Sequence, residues 1–219
     1  MKSSTLFFSA IALCSTLLAA GQAQFTFQND FENIPNGSGA VIERNPQLAP
    51  WIFIGSKRKI DCTDGVFTLA SAGGESRIFT KQLFKNGEIT LKIRFNACSS
   101  KNHYYIGFVE FQPWHNRSAW LMFNSSTNGH LYMKNGANSL PKQDLHRVRT
   151  GALTIGQWYD LKLKLDANGA ELWIDDVSKG KLTTPGTIPN ANMRLIFAAS
   201  GEGASISFDE INVKAVLNN

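Results

Sequence analysis

Around Glu110 the chain reads Gly107-Phe108-Val109-Glu110-Phe111-Gln112-Pro113-Trp114-His115. Cleaving a glycosidic bond with retention needs two carboxyl groups about 5 to 5.5 Å apart, and residues two apart on a strand share a face. Glu110 could be one of the pair. The positions two and five further on hold Gln112 and His115, so its partner would come from another strand, and a lone carboxylate on a solvated sheet face is the plainer reading. β-Elimination across a uronate asks for other groups: a cation or amide to neutralise the carboxylate, and a Tyr or His to move the C5 proton. Arg77, Lys92 and Arg94 supply cations; Tyr105 and His115 supply proton carriers, with His103 and Tyr104 nearby in sequence. The catalytic candidates are therefore His115, Tyr105, Arg77 and Glu110.

Holding a sugar without cutting it requires less: an exposed aromatic ring for the apolar sugar face, and polar groups around its rim. The run Gln112-Pro113-Trp114-His115-Asn116-Arg117-Ser118-Ala119-Trp120 concentrates such groups between two strand patterns. Tyr105, Trp114, His115, Trp120, Lys92 and Arg94 form the binding set, although Trp120 lies in an apolar run and also suits a core. Other chemistries lack their signatures. No G-x-S-x-G, H-E-x-x-H, clustered metal-ligand spacing or Gly-rich phosphate loop is present, and the four histidines stand on separate segments.

The elements that must position these residues read as strands. Short apolar runs bounded by Gly, Asn, Asp or Ser occur at Gly65–Leu69, Ser76–Leu83, Gly87–Asn96, Tyr104–Phe111, Ala119–Asn124, His130–Lys134, Trp158–Asp166, Glu171–Asp175, Met193–Ala198 and Ser205–Val213. That spacing predicts an all-β, two-sheet antiparallel sandwich. Asn86-Gly87, Asn128-Gly129 and Asn168-Gly169 read as hairpin turns. Strict alternation puts Tyr159, Leu161, Leu163 and Leu165 on one face of their strand, and Ile89, Leu91, Ile93 and Phe95 on one face of theirs. Tyr104, Ile106 and Phe108 read as core. Tyr105 then faces outward with Gly107 leaving space beside it, and Glu110 falls on the core side unless a bulge reorients it. The longest irregular stretch is Asn135 to Gly151, after a loose lead-in from Asn33 to Pro50.

Residues 1–23 read as a secretory signal: Lys2, an apolar stretch from Leu6 to Ala20, and the small-x-small site Gly21-Gln22-Ala23. Leu13 before Cys14 argues against a lipid anchor. The expected working chain is a single domain, residues 24–219, secreted to an extracellular or periplasmic space. Residues 1–23 hold one of the 22 basic side chains and none of the 17 acidic ones, so the remainder carries a mild +4. Without a Lys/Arg run, a dedicated nucleic-acid partner is disfavoured, and no second apolar run approaches a bilayer span. In an oxidising compartment Cys62 and Cys98 are expected to form a disulfide. Asn36, Asn116 and Asn124 begin N-x-S sequons, which matter only in a eukaryotic host.

The segment Gly156-Gln157-Trp158-Tyr159-Asp160-Leu161-Lys162-Leu163-Lys164-Leu165, followed by Asn168-Gly169-Ala170-Glu171-Leu172-Trp173-Ile174-Asp175, resembles a hairpin of the concanavalin A-like lectin/glucanase superfamily in its laminin-G-like and bacterial secreted versions. The opening Asn29-Asp30-Phe31-Glu32-Asn33 and the closing Ile206-Ser207-Phe208-Asp209-Glu210-Ile211-Asn212-Val213 are weaker marks. The resemblance implies a jelly roll whose concave sheet holds ligand, core positions for Trp158 and Trp173, and a structural calcium ion tying the chain ends through Asp30, Glu32 and Asp209. It does not carry the glucanase E-x-D-x-x-E pattern or the alginate-lyase R-[ST]-E-[LV]-R pattern onto this chain. Such a fold hosts several functions. The expected one is binding of a polysaccharide or glycan. A lyase or, less favoured, a glycoside hydrolase is the alternative, and a protein-interaction module the third.

Overall fold

A computed structural model describes residues 23–97, 102–110, 117–124, 128–135, 145–166, 168–183 and 193–217. Strands dominate, and among the described residues no helix is long and apolar enough to cross a membrane. Two long strands organise the molecule, β5 (Val66–Thr80) and β14 (Met193–Leu217), because each bends from one layer into the other. The paired bends carry Gly73 and Gly74 in β5 and Gly201 and Gly203 in β14, all with positive φ, and the register shifts between Ser200 and Ser205. Left-handed backbone of this kind is where glycine is favoured. Sequence patterns that read as four separate strands are therefore two folded ones.

The strands are, in chain order, β1 (Gln24–Asn29), β2 (Gly37–Ser38), β3 (Trp51–Ile54), β4 (Arg58–Thr63), β5, β6 (Phe84–Ala97), β7 (His103–Glu110), β8 (Arg117–Asn124), β9 (Asn128–Asn135), β10 (Leu145–Ala152), β11 (Trp158–Asp166), β12 (Gly169–Ile174), β13 (Val177–Thr183) and β14. The front layer runs β10-β9-β8-β7-β14-β5-β3, using the first part of β14 and the end of β5. The back layer runs β4-β5-β14-β6-β11-β12-β13, with β1 beside the last part of β14 and β2 on β4. The ladders are antiparallel, and along the last part of β14 the register with β6 descends from Ser205 opposite Ala97 to Leu217 opposite Phe84. A short helix α1 (Ala40–Glu43) and a 3-10 turn at Pro46–Leu48 fill the lead-in, burying Ile42 and Leu48.

The core forms where the inner faces meet. Phe197 of the front layer packs on Phe208 of the back at 4.7 Å between ring centroids, and Phe95 packs on Tyr104 at 5.1 Å. The alternation read for β6 and β11 holds, with Ile89, Leu91, Ile93, Leu161, Leu163 and Leu165 all buried. Asn168-Gly169 forms the expected hairpin: the Asn168 N–H donates to Asp166 Oδ1 at 2.8 Å, and Gly169 has φ 138°. Asn86-Gly87 does not turn. Gly87 lies inside β6, where a Cβ would stand 2.8 Å from the Ala215 Cβ, so its missing side chain admits the neighbouring strand. Part of the expected loop from Asn135 to Gly151 is strand β10, paired with β9.

The expected disulfide is not formed. Cys62 is a buried free thiol on β4, while Ala97, the last residue before Cys98, is on β6. The ladder Lys59, Ala70, Ser205, Ala97 puts two strands between them. Three strand spacings are roughly 14 Å, and a bridge needs Cα atoms within about 7 Å. Cys98 and residues 1–22 of the expected signal lie outside the described residues.

Candidate functional site

Alternation on β7 decides what the front sheet shows to the outside. Tyr104, Ile106 and Phe108 are fully buried in the core, so His103, Tyr105, Gly107 and Val109 point the other way. On β14 the inward Leu195 and Phe197 leave Arg194, Ile196, Ala198 and Ser200 outward; on β5 the inward Ile78 leaves Arg77 and Phe79 outward. Register aligns these positions into rows. One row reads Ile54, Arg77, Ala198, Tyr105, Met122, His130, Arg149, and its neighbour reads Ile52, Phe79, Ile196, Gly107, Trp120, Tyr132, Arg147.

Arg77 and Tyr105 are thus one strand apart on the same face, with Cα atoms about 10 Å from each other. Tyr105 is half-buried against an apolar cluster of Phe79, Val109, Ile196 and Ala198, which fixes its ring. Arg77 forms an ion pair with Glu75 on the same face. Arg194 donates to the Thr80 carbonyl at 2.8 Å, and burial lowers its pKa from the ordinary arginine value. His130 is half-buried and Arg149 exposed. Among the described outward positions, β7 offers no carboxylate. Glu110 stands opposite Met193, which is fully buried.

Trp120 pairs in register with Gly107 of β7; where its ring lies is outside what is described. Trp114 and His115 lie outside the described residues. Lys92 and Arg94 do not share a surface with Tyr105. They are on β6, on the outer side of the back layer, because β6 pairs with β11 and the later part of β14. A proton carrier at Tyr105 therefore cannot be paired with Lys92 on one substrate carboxylate.

The back face also corrects the reading of two tryptophans as core. Trp158 precedes the buried Tyr159, and Trp173 lies between the buried Leu172 and Ile174, so both are half-buried and turned outward. The Arg94 guanidinium sits 4.7 Å from the Trp158 ring centroid, and the Lys162 ammonium 4.1 Å from that of Trp173. Beside Trp173 is an open cleft of about 270 Å3, rimmed by Lys92, Asp160, Asp176 and Glu210.

The acids expected at the chain ends are partly assembled. Burial, then Glu210 and Glu32, push the Asp209 carboxyl up, against the Glu210 N–H at 2.7 Å and Lys92. The Cys62 thiol is raised to about 11, first by burial and then by Asp61, Asp209 and Glu32. Glu32 and Asp209 therefore act on one corner, where Gly65 admits the Glu32 carboxylate. Asp30 Oδ1 accepts from the Glu32 N–H at 3.3 Å. Among the described residues no three His, Cys, Asp or Glu side chains converge as a metal-binding group.

No family model matches the chain, and no curated protein is significantly similar in sequence. Similarity appears in three dimensions. A non-specific endo-β-1,3(4)-glucanase of family GH16 superposes with a TM-score of 0.66 at 10% identity, over 91% of this chain and 94% of the enzyme. The laminarinase catalytic domain from Thermotoga maritima gives 0.64 at 10% identity, over 88% and 98%. A sialidase gives 0.63 at 12% identity over 87% of this chain, which spans 19% of the sialidase's own length. The fold is a concanavalin A-like jelly-roll β-sandwich.

Proposed function

We propose that this is a secreted carbohydrate-binding protein that takes a polysaccharide or glycan on its front sheet. The observation that carries the reading is the row joining Arg77 to the half-buried Tyr105 across β14, on a face whose described β7 positions hold no acid. Aromatic residues with cations at the rim recognise a sugar, and without paired carboxylates a retaining hydrolase has no described machinery on β7. Arg77, Arg149 and Arg194 favour glycans bearing carboxylates. Calcium belongs to this proposal as a structural ion. Glu32 and Asp209 fit it as two ligands, with backbone oxygens needed for the rest of the about six to eight it takes.

A lyase is the second reading, favoured by the same Arg77–Tyr105 juxtaposition. Arg77 would neutralise a uronate carboxylate and Tyr105, as phenolate, would take the C5 proton; the C5–H electron pair becomes the C4=C5 double bond as the C4–O bond breaks, and the leaving oxygen takes a proton from water. One experiment separates the readings: incubation with neutral and uronate polysaccharides, following ultraviolet absorbance of unsaturated products, reducing ends, and retention on the polymer. Retention without products is expected, and Tyr105→Ala should abolish it for uronate polymers. Unsaturated products establish the lyase. Absence of both products and retention moves the function to a protein partner.

A further inference from the structure

We infer that the back sheet carries a second, independent saccharide site, centred on Trp173 and selective for uncharged sugars. Apart from Trp158 at the start of β11, which Arg94 covers, the outward positions of β11 and β12 are those of a solvated face, such as Asp160, Lys162, Lys164 and Glu171. Trp173 breaks that pattern with a large ring that the core does not need, since Leu172 and Ile174 on either side do the inward packing. Its ring face is covered by the Lys162 ammonium at 4.1 Å. A lysine on a flexible stem can swing aside, exposing an apolar plane onto which the C–H face of a pyranose fits.

The rim supplies the hydroxyl partners. Lys92 and Lys162 donate; Asp160, Asp176 and Glu210 accept; the cleft of about 270 Å3 has room for a sugar unit. Asp176 is held in place by construction. Both residues of its turn, Asp175 and Asp176, have positive φ, at 51° and 59°. Asp175 is bolted to β11 twice: its N–H donates to the Asp160 carbonyl at 2.8 Å, and its Oδ1 accepts from the Asp160 N–H at 2.9 Å. Positive φ at both residues is what the two-residue hairpin between β12 and β13 requires, and that turn sets Asp176 at the rim of the cleft. Three carboxylates against two ammonium groups, one of them already ion-paired as Lys92–Glu210, repel an anionic sugar. A neutral sugar, whose hydroxyls both donate and accept, matches every rim group.

The site is tested apart from the front sheet by using neutral polymers and back-sheet variants. In affinity electrophoresis through gels containing a neutral glucan, a neutral mannan or a neutral xylan, the full chain should be retarded by at least one. Trp173→Ala should lose tenfold or more of that affinity and Trp173→Phe most of its loss should be spared. Thr90→Arg, which fills the cleft without touching the core, should reproduce the loss, so a folding defect in the alanine variant does not decide the matter. Tyr105→Ala should leave neutral-polymer binding within twofold of the parent. Lack of retardation by all three polymers overturns the inference, as does full affinity in Thr90→Arg, or loss in Tyr105→Ala alone.

Discussion

At the scale of single residues, burial and neighbouring charge determine which groups respond to pH. The Cys62 thiol is raised from 9.0 to about 11, mainly by burial. A folded pKa above the unfolded value means that the native state holds more protons than the unfolded chain between those two values. Stability should therefore fall as pH rises from 9 to 11 and level off beyond. Cys62→Ala should remove that decline in urea midpoints measured across the window, and native Cys62 should resist thiol reagents at neutral pH until the protein is denatured. Asp209 has the same sign: its carboxyl is raised by burial, Glu210 and Glu32, so ionising it costs stability as pH rises through the carboxylate range. Calcium reverses this if it sits there. Thermal melts should rise with calcium and fall with EDTA in the parent, while Asp209→Asn should show no difference; an identical melt in both solutions for the parent would remove the ion from the proposal.

At the scale of elements, most of the sandwich was legible because alternation is a local signal. The phase of β11, with Tyr159, Leu161, Leu163 and Leu165 inward, is what burial shows. That same phase already placed Trp158 outward, and the phase of Leu172 and Ile174 did so for Trp173; assigning them to the core by resemblance overrode what their strands said. Tyr105 and Arg77 were legible as a pair of types, and their meeting required only that β5 and β7 both flank the first part of β14. Lys92 and Arg94 were misplaced because layer membership is a property of topology. No local pattern tells whether β6 lies in front or behind. Glycine spacing was equally ambiguous, since Asn86-Gly87 and Asn168-Gly169 look alike in sequence but serve close approach and a turn respectively. Substitution separates the roles. Gly87→Ala meets Ala215 and the Lys214 carbonyl, and should cost about 1 to 3 kcal/mol in urea unfolding. Gly169→Ala combines φ 138° with a Cβ 1.8 Å from the Leu182 carbonyl oxygen, and should cost more than about 3 kcal/mol.

At the scale of the whole molecule, the two outer faces differ in electrostatic character although one chain folds both. The front rows end in Arg147 and Arg149 and contain Arg77, whereas the back cleft sets Asp160, Asp176 and Glu210 around Trp173. Layers that share a core hold their outer faces on opposite sides, too far apart for one sugar unit but placed to hold two polymers at once. Two consequences can be measured together. Binding of a uronate polymer to the front should weaken steeply between low and physiological salt, because exposed charges are screened beyond about 8 to 10 Å, while stacking on Trp173 should be nearly insensitive to salt. At low salt, mixing the protein with a uronate polymer and a neutral one should join the two into a turbid network, since each bridge gains from the other through effective concentration. Tyr105→Ala or Trp173→Ala should each abolish the turbidity while leaving one polymer bound. Turbidity that survives either substitution would mean that a single face binds both polymers, and that the opposite charge patterns of the two layers do not divide the ligands between them.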